Sequence, residues 1–415
     1  MTISLTTVAQ PPLEPIPSLP PGLEQGATEI VDLLQAAAVP LGDGVMWNGP
    51  ELQGQTLPLT PDLLSGTAGI AAFLATWAHV ERCQVTRATA LAAVLPLRRQ
   101  LEDFIDEAAA APDIDIDIDL GGGYQGIGSM IYTLSRIALL LDDPACAHAA
   151  VQAANRITPE QIAAQRRAGL VDGVAGLTLA LIVAQKAALA FTVPADFSAP
   201  ILACGNVLRS LLDNAKSSIG SGFGHGYSGI AYALTRLYDE HPAGDWHWDA
   251  HVALAQERRL FDVQLGVWLN PEGTEPVMAN AWSHGAAGML LARTALASRR
   301  IEALDPASHQ DFQRCLHGTR EQAARRLDHL NGGNLGHALI LQQAGRDLED
   351  ADLSALALQI GRSVASRCPD TLFLPETQRR LTPWTDLSLM NGLAGIGYAF
   401  LKLHRPNLPS FLLLE

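Results

Sequence analysis

Seven segments of the chain open with Gly-x-x-Gly and run on as apolar and small residues. They are GTAG (66–69), GYQG (123–126), GVAG (173–176), GYSG (226–229), GAAG (285–288), GNLG (333–336) and GLAG (392–395). The runs behind them, such as GIAAFLATWAHV, GIAYALTRLYDE and GIGYAFLKLH, place apolar positions at helical spacing with few β-branched stretches. Between them lie amphipathic stretches with Arg, Glu and Gln on one face, such as PILACGNVLRSLLDNAK and DLSALALQIGRSVASR. Each repeat therefore predicts one buried helix and one half-exposed helix. The first glycines are 57, 50, 53, 59, 48 and 59 residues apart, so a repeat architecture takes precedence over any local reading.

Seven helix pairs predict an all-α fold, an α/α toroid or double α-barrel. A closed ring needs no capping repeats, whereas an open solenoid would need polar end faces. The glycines are expected to let the chain turn into each inner helix and let backbones approach. Residues 1–25 are rich in proline and read as an extended lead-in. Residues 26–415 read as one domain. One segment departs from the pattern: Asp113, Asp115, Asp117 and Asp119 alternate with isoleucine, which suggests a short strand with an acidic, solvated face.

Composition narrows the function. Of 415 residues 48% are apolar and 17% charged, enough for a large packed core. The net charge of −15 disfavours nucleic acid as a partner. No apolar run is long enough for a membrane span, and the N-terminus lacks the basic and apolar regions of a secretory signal. Five scattered cysteines fit free thiols in the cytoplasm. No CxxC or HExxH is present, so no metal and no cofactor is expected.

The residue before each first glycine is expected to face a central cavity. In order these are Ser65, Gly122, Asp172, His225, His284, Gly332 and Asn391. One position earlier stand Leu64, Gly121, Val171, Gly224, Ser283, Asn331 and Met390. Polar groups thus cluster in consecutive repeats, with His337 just beyond the sixth motif. Asp172, His225 and His284 are the expected catalytic residues, because two imidazoles and a carboxylate suffice for acid–base work. Trp282, Ser283, Asn331, His337 and Asn391 are expected to line the substrate surface. Histidines with an aspartate can also hold a metal, and single histidines often only cap helices; both alternatives stay open on the residues alone.

At these positions the chain resembles the lanthionine synthetase C-like cyclases, most of all the C-terminal cyclase domain of class II lanthipeptide synthetases. The matching segments are GGGYQGIGSMIYTLSRIALLLDD, GFGHGYSGIAYALTRLYD, LFDVQLGVWLNP with NAWSHGAAGMLLAR, and LMNGLAGIGYAFLKLHRPNLPSFLLLE. The resemblance covers about residues 55–415. It implies a double α/α barrel that adds a cysteine thiol to a dehydroalanine or dehydrobutyrine. It also implies a precursor peptide, leader and core, as substrate. The dehydratase domain of class II enzymes has no counterpart before residue 26, so separate dehydratase or kinase/lyase enzymes are expected as partners.

The departures are as informative. The family's zinc is held by Trp-Cys-x-Gly in repeat five and Cys-His-Gly or Cys-Cys-Gly in repeat six. Here these read Trp282-Ser283-His284-Gly285 and Asn331-Gly332-Gly333. A family aspartate four residues before the third-repeat glycine falls on Gly169, with Asp172 out of register. His225 alone matches a residue usually given an acid–base role. Three functions follow from the resemblance and its gaps: a zinc-independent peptide cyclase, a non-catalytic precursor-binding or scaffold protein, or a different reaction with a metal on His225, His284 and His337.

Overall fold

The computed structural model describes residues 22–49, 57–110, 119–214, 219–269, 281–298, 306–321, 327–367 and 386–415. The proline-rich segment up to residue 21, positions 113–118 of the Asp-Ile alternation, and Cys368 lie outside the described residues.

The seven apolar runs form the inner helices α2 (Thr67–Glu81), α4 (Gly126–Leu141), α7 (Val174–Ala190), α9 (Tyr227–Glu240), α11 (Ala286–Ser298), α13 (Asn334–Asp347) and α15 (Leu393–His404). Each touches the next, and α15 touches α2, so the ring is closed. The outer helices are α3 (Gln84–Ala110), α5 (Pro144–Ala154), α8 (Ser198–Asp213), α10 (Trp246–Arg258), α12 (Pro306–Glu321) and α14 (Ala351–Ala365). Each packs on the inner helix before it in sequence. A short helix, α6 (Pro159–Ala164), carries a capping box and packs on α8.

The seventh inner helix has no outer helix after it. Its partner is α1 (Leu23–Ala36), which packs on α15 from the other end of the chain. The seventh pair is thus made from both ends, a closure the repeat pattern did not announce. Helix α1 opens at Leu23, inside the stretch expected to be extended, after Gly22 at φ +99°. Two short antiparallel hairpins complete the described elements: β1 (Val39–Leu41) with β2 (Gly44–Met46), and β3 (Phe261–Asp262) with β4 (Val267–Trp268).

The second glycine of each motif has a steric job. A Cβ on Gly69, Gly176, Gly229, Gly288, Gly336 or Gly395 would collide with the carbonyl oxygen six residues earlier. In the second repeat this role falls on Gly128, against Gly122 O. The equivalent motif there is 125–128, two residues later than the spacing suggested, and Gln125 takes the N-cap. The first glycines at the other caps that the structure defines have extended backbone, such as φ −117° at Gly226 and −131° at Gly392. Close approach, not a left-handed turn, explains them.

The loops before the inner helices are laced into a second closed ring by backbone hydrogen bonds. Leu64 N–H donates to Tyr124 O, Tyr124 to Val171, Val171 to Gly224, and Gly224 to Ser283; Trp282 donates to Asn331, Asn331 to Met390, and Met390 back to Leu64. Beneath this ring the barrel is filled. Phe411, Leu412, Leu413 and Leu414 are all buried. Tyr124 Oη donates to Phe411 O at 2.6 Å, and Trp282 Nε1 to Leu412 O at 3.1 Å. Tyr398 Oη donates to Pro409 O at 2.7 Å. The inner helices therefore surround a plug of C-terminal residues.

Candidate functional site

The site lies where α7, α9 and α11 begin. Asp172, His225 and His284 each precede an inner-helix N-cap, and the closed ring brings these neighbours together. His225 Nδ1 faces Asp172 Oδ1 at 3.5 Å. The His225 and His284 rings stack with centroids 5.0 Å apart and planes 15° from parallel. With Nδ1 directed at the carboxylate, Nε2 of His225 is the ring nitrogen that Asp172 does not engage. The His225 side chain is 41% exposed and that of Asp172 23%, so the group is reachable without being fully hydrated.

Electrostatics divide the three roles. The hydrogen bond from His225 is the largest cause holding the Asp172 carboxyl below its ordinary range; burial opposes it, and the His225 and Arg167 charges reinforce it. Asp172 therefore stays ionised. Burial pushes His284 below the ordinary imidazole value, helped by the neighbouring His225, so His284 is neutral at pH 7. The first N–H groups of α7 are taken by the carbonyls of Arg167, Ala168 and Gly169, and those of Tyr227 and Ser228 in α9 by Gly220 O and Glu257, so these helix ends favour negative charge in the site through their dipoles.

Two features were missed in the sequence. Arg167 Nη1 donates to the other oxygen of Asp172 at 3.2 Å and its Nη2 pairs with Asp119. The result is a file of charges, Asp119–Arg167–Asp172–His225, at the rim. The family position at Gly169 has no room for a carboxylate: a Cβ there would lie 2.9 Å from Gly224 O and 3.0 Å from His225 Cα. Asp172 reaches His225 from three residues further on.

The remaining expected residues separate. Asn391 is half-buried at the mouth. Ser283 is buried and its carbonyl holds Gly224 N–H. Trp282 is 1% exposed and packs edge-on to Tyr124 in the barrel, below the mouth. His337 is buried within α13. In the second repeat Gly122 does not face the mouth as its register implied; Tyr124 takes part in the loop ring instead.

The zinc set implied by the resemblance does not fit these residues. Ser283 offers a hydroxyl, Asn331 a carboxamide whose Oδ1 is sealed from solvent with no hydrogen-bond partner, and Gly332 no side chain. None is a thiolate or imidazole. Cys146, Cys204 and Cys315 are buried on the outer helices α5, α8 and α12 and cannot stand in. Among the described residues no three His, Cys, Asp or Glu side chains converge as a metal site, and no helix is long and apolar enough to cross a membrane.

Comparison with known proteins agrees with this architecture. A family model described as lanthionine synthetase C-like protein matches residues 58–414. Among solved structures, a nisin cyclase superposes with a TM-score of 0.59 at 12% sequence identity, covering 94% of this chain and 97% of that one. No curated protein sequence matches. At 12% identity that likeness speaks for the fold, while the family model spans nearly the whole described barrel. The chain belongs to the lanthionine synthetase C-like family.

Proposed function

We infer that this protein works in the biosynthesis of a ribosomally made, modified peptide, closing thioether rings without zinc. The observation that carries the reading is the Asp172–His225–His284 group at three adjacent inner-helix N-termini. In this chemistry His225 Nε2 takes the proton of a substrate cysteine thiol. The thiolate sulfur adds to the β-carbon of a dehydroalanine or dehydrobutyrine, and the charge that develops on the enolate oxygen lies at the positive ends of the helix dipoles, beside the imidazolium. The imidazolium then returns a proton to the α-carbon, and the enzyme is regenerated. Asp172 orients His225 and supports its charged form. His284, kept neutral, adds no second positive charge beside it.

The substrate is a precursor peptide already dehydrated by separate dehydratase or kinase/lyase enzymes. The buried free thiols Cys146, Cys204 and Cys315 suit the reducing cytoplasm where such enzymes work.

A second reading has its own support. The residues at Ser283, Asn331 and Gly332 cannot activate a thiol as a metal would, which favours a protein that binds the precursor and leaves closure to others. One experiment separates the two. A dehydrated precursor peptide with free cysteines is incubated with the purified protein, and remaining thiols are counted by alkylation and mass spectrometry. Loss of alkylatable thiols at unchanged peptide mass supports the cyclase; bound peptide with all thiols intact supports the binder.

A further inference from the structure

Outside the mouth, the Glu257 carboxylate is fully buried on α10, as is that of Asp328 in the loop before α13. Its Oε1 accepts from Gly222 N–H at 2.9 Å and Ser228 N–H at 3.2 Å. Its Oε2 accepts from Ser228 Oγ at 2.6 Å and meets Arg293 Nη1 at 2.9 Å. Arg293 is 5% exposed on α11 and also donates to Ser228 Oγ at 3.0 Å and Met289 O at 3.3 Å. One side chain of an outer helix thus joins three parts: the loop that leads to His225, the first turn of α9, and the helix that follows His284.

Gly222 is the point where this bond acts on the site. It has φ +110°, and a Cβ there would lie 2.5 Å from Ser283 O and 2.7 Å from His284 Cα. Its backbone is therefore pressed against the His284 loop while Glu257 holds its N–H from behind. His225 follows three residues later. Stability does not account for the arrangement, because the desolvation of a buried ion pair offsets most of its Coulomb attraction. Such pairs are best explained where they fix a register.

We propose that Glu257 is a positioning residue that holds the His225 loop at its stacking distance from His284. The proposal rests on the acid–base reading of those histidines, but its geometry can be tested without turnover. The readout is the pair of imidazole ¹H–¹⁵N signals followed across pH in the intact protein. E257Q/R293M removes both charges and keeps an oxygen that accepts from Gly222 and Ser228. E257L/R293M removes the acceptor as well. E257D keeps the charge and draws the carboxylate back by about one C–C bond.

The first variant is expected to keep wild-type imidazole titrations and the ring-current shift between the stacked rings. E257L/R293M and E257D are expected to lose that shift and to move either titration midpoint by more than about 0.3 pH, a small environmental change on the imidazole scale. Where ring closure is measurable, these two lose about 10- to 100-fold in kcat, the scale of a misplaced group. Wild-type imidazole spectra in E257L/R293M or E257D would overturn the proposal. So would equal disturbance in E257Q/R293M, or failure of all three to fold, which would make the pair purely structural. If the wild-type protein closes no ring at all, the cyclase reading fails while the spectra still decide the role of Glu257.

Discussion

His225 is the residue on which the proposed chemistry depends most. Its Nδ1 is committed to Asp172 and its Nε2 is open, so no other described group in the mouth combines an orienting carboxylate with an accessible nitrogen. His225→Asn is expected to lower ring closure by about 10²–10⁴-fold with circular dichroism unchanged. Closure at the wild-type rate would move the chemistry to His284 or end the cyclase reading. Two desolvated imidazoles, the half-buried His284 and the buried His329, also predict an acid limit. Burial is the main cause lowering His284 and His329 below their ordinary value of 6.5. Below that value the unfolded chain binds protons that the native state refuses, so stability falls as pH falls from about 6.5. The Asp172 contribution is lost only at lower pH, through its own depressed value. The urea midpoint is expected to drop between pH 7 and pH 5, and His284→Asn to flatten part of that drop. An identical pH slope in wild type and variant would show that His284 is not the source.

At the scale of elements, the repeated glycine is a packing device, and this explains why it was legible. Every inner helix must pass close to the carbonyl six residues before its second glycine, a local demand that the sequence repeats seven times. Helix propensity alone favours Ala over Gly by about 1 kcal/mol. Gly288→Ala is nevertheless expected to destabilise by about 3 kcal/mol or more, because the new methyl meets Trp282 O and Phe223 Cβ. Gly266 gives the control: it has φ +68° and nothing within 4 Å of a Cβ. Gly266→Ala should cost only about 1–2 kcal/mol, from backbone conformation. Equal losses in the two urea curves would refute the steric account. Where several glycines crowd together, as in GGGYQGIG, the same signal slips by two residues. Charged partners were harder to see. Arg167 lies among polar residues that look solvated, and nothing in the local pattern around Glu257 shows that it will be buried. Arg167 is tied to Asp119, 48 positions away, and Glu257 to Gly222 and Ser228, 35 and 29 positions away, which local periodicity does not encode.

For the whole molecule, closure is the property that links fold to site. The mouth exists because seven loops hydrogen-bond in a circle, and that circle needs α1 to cover α15 and the plug to fill the barrel. Neither is marked by the repeat. Residues up to 25 read as an extended lead-in, and FLLLE as the end of the seventh family-like segment. Phe411 tests how far the plug supports the ring. Its side chain is fully buried, 4.6 Å from the Tyr398 ring and 6.5 Å from that of Tyr132. Its backbone N–H donates to Tyr398 Oη at 3.1 Å, and its carbonyl accepts from Tyr124. Phe411→Ala keeps both backbone bonds and removes only the ring. The cavity left between α4 and α15, the two inner helices that flank α2, is expected to cost about 3–5 kcal/mol. Because those helices belong to one closed circle, the loss should fall on the entire barrel. The urea transition should move to a lower midpoint with its slope unchanged, and the tyrosine and tryptophan signals should move with the helical signal. A separate early transition confined to the aromatic probes would mean that the plug docks on a barrel already stable without it, and that the floor of the site can open independently of the ring.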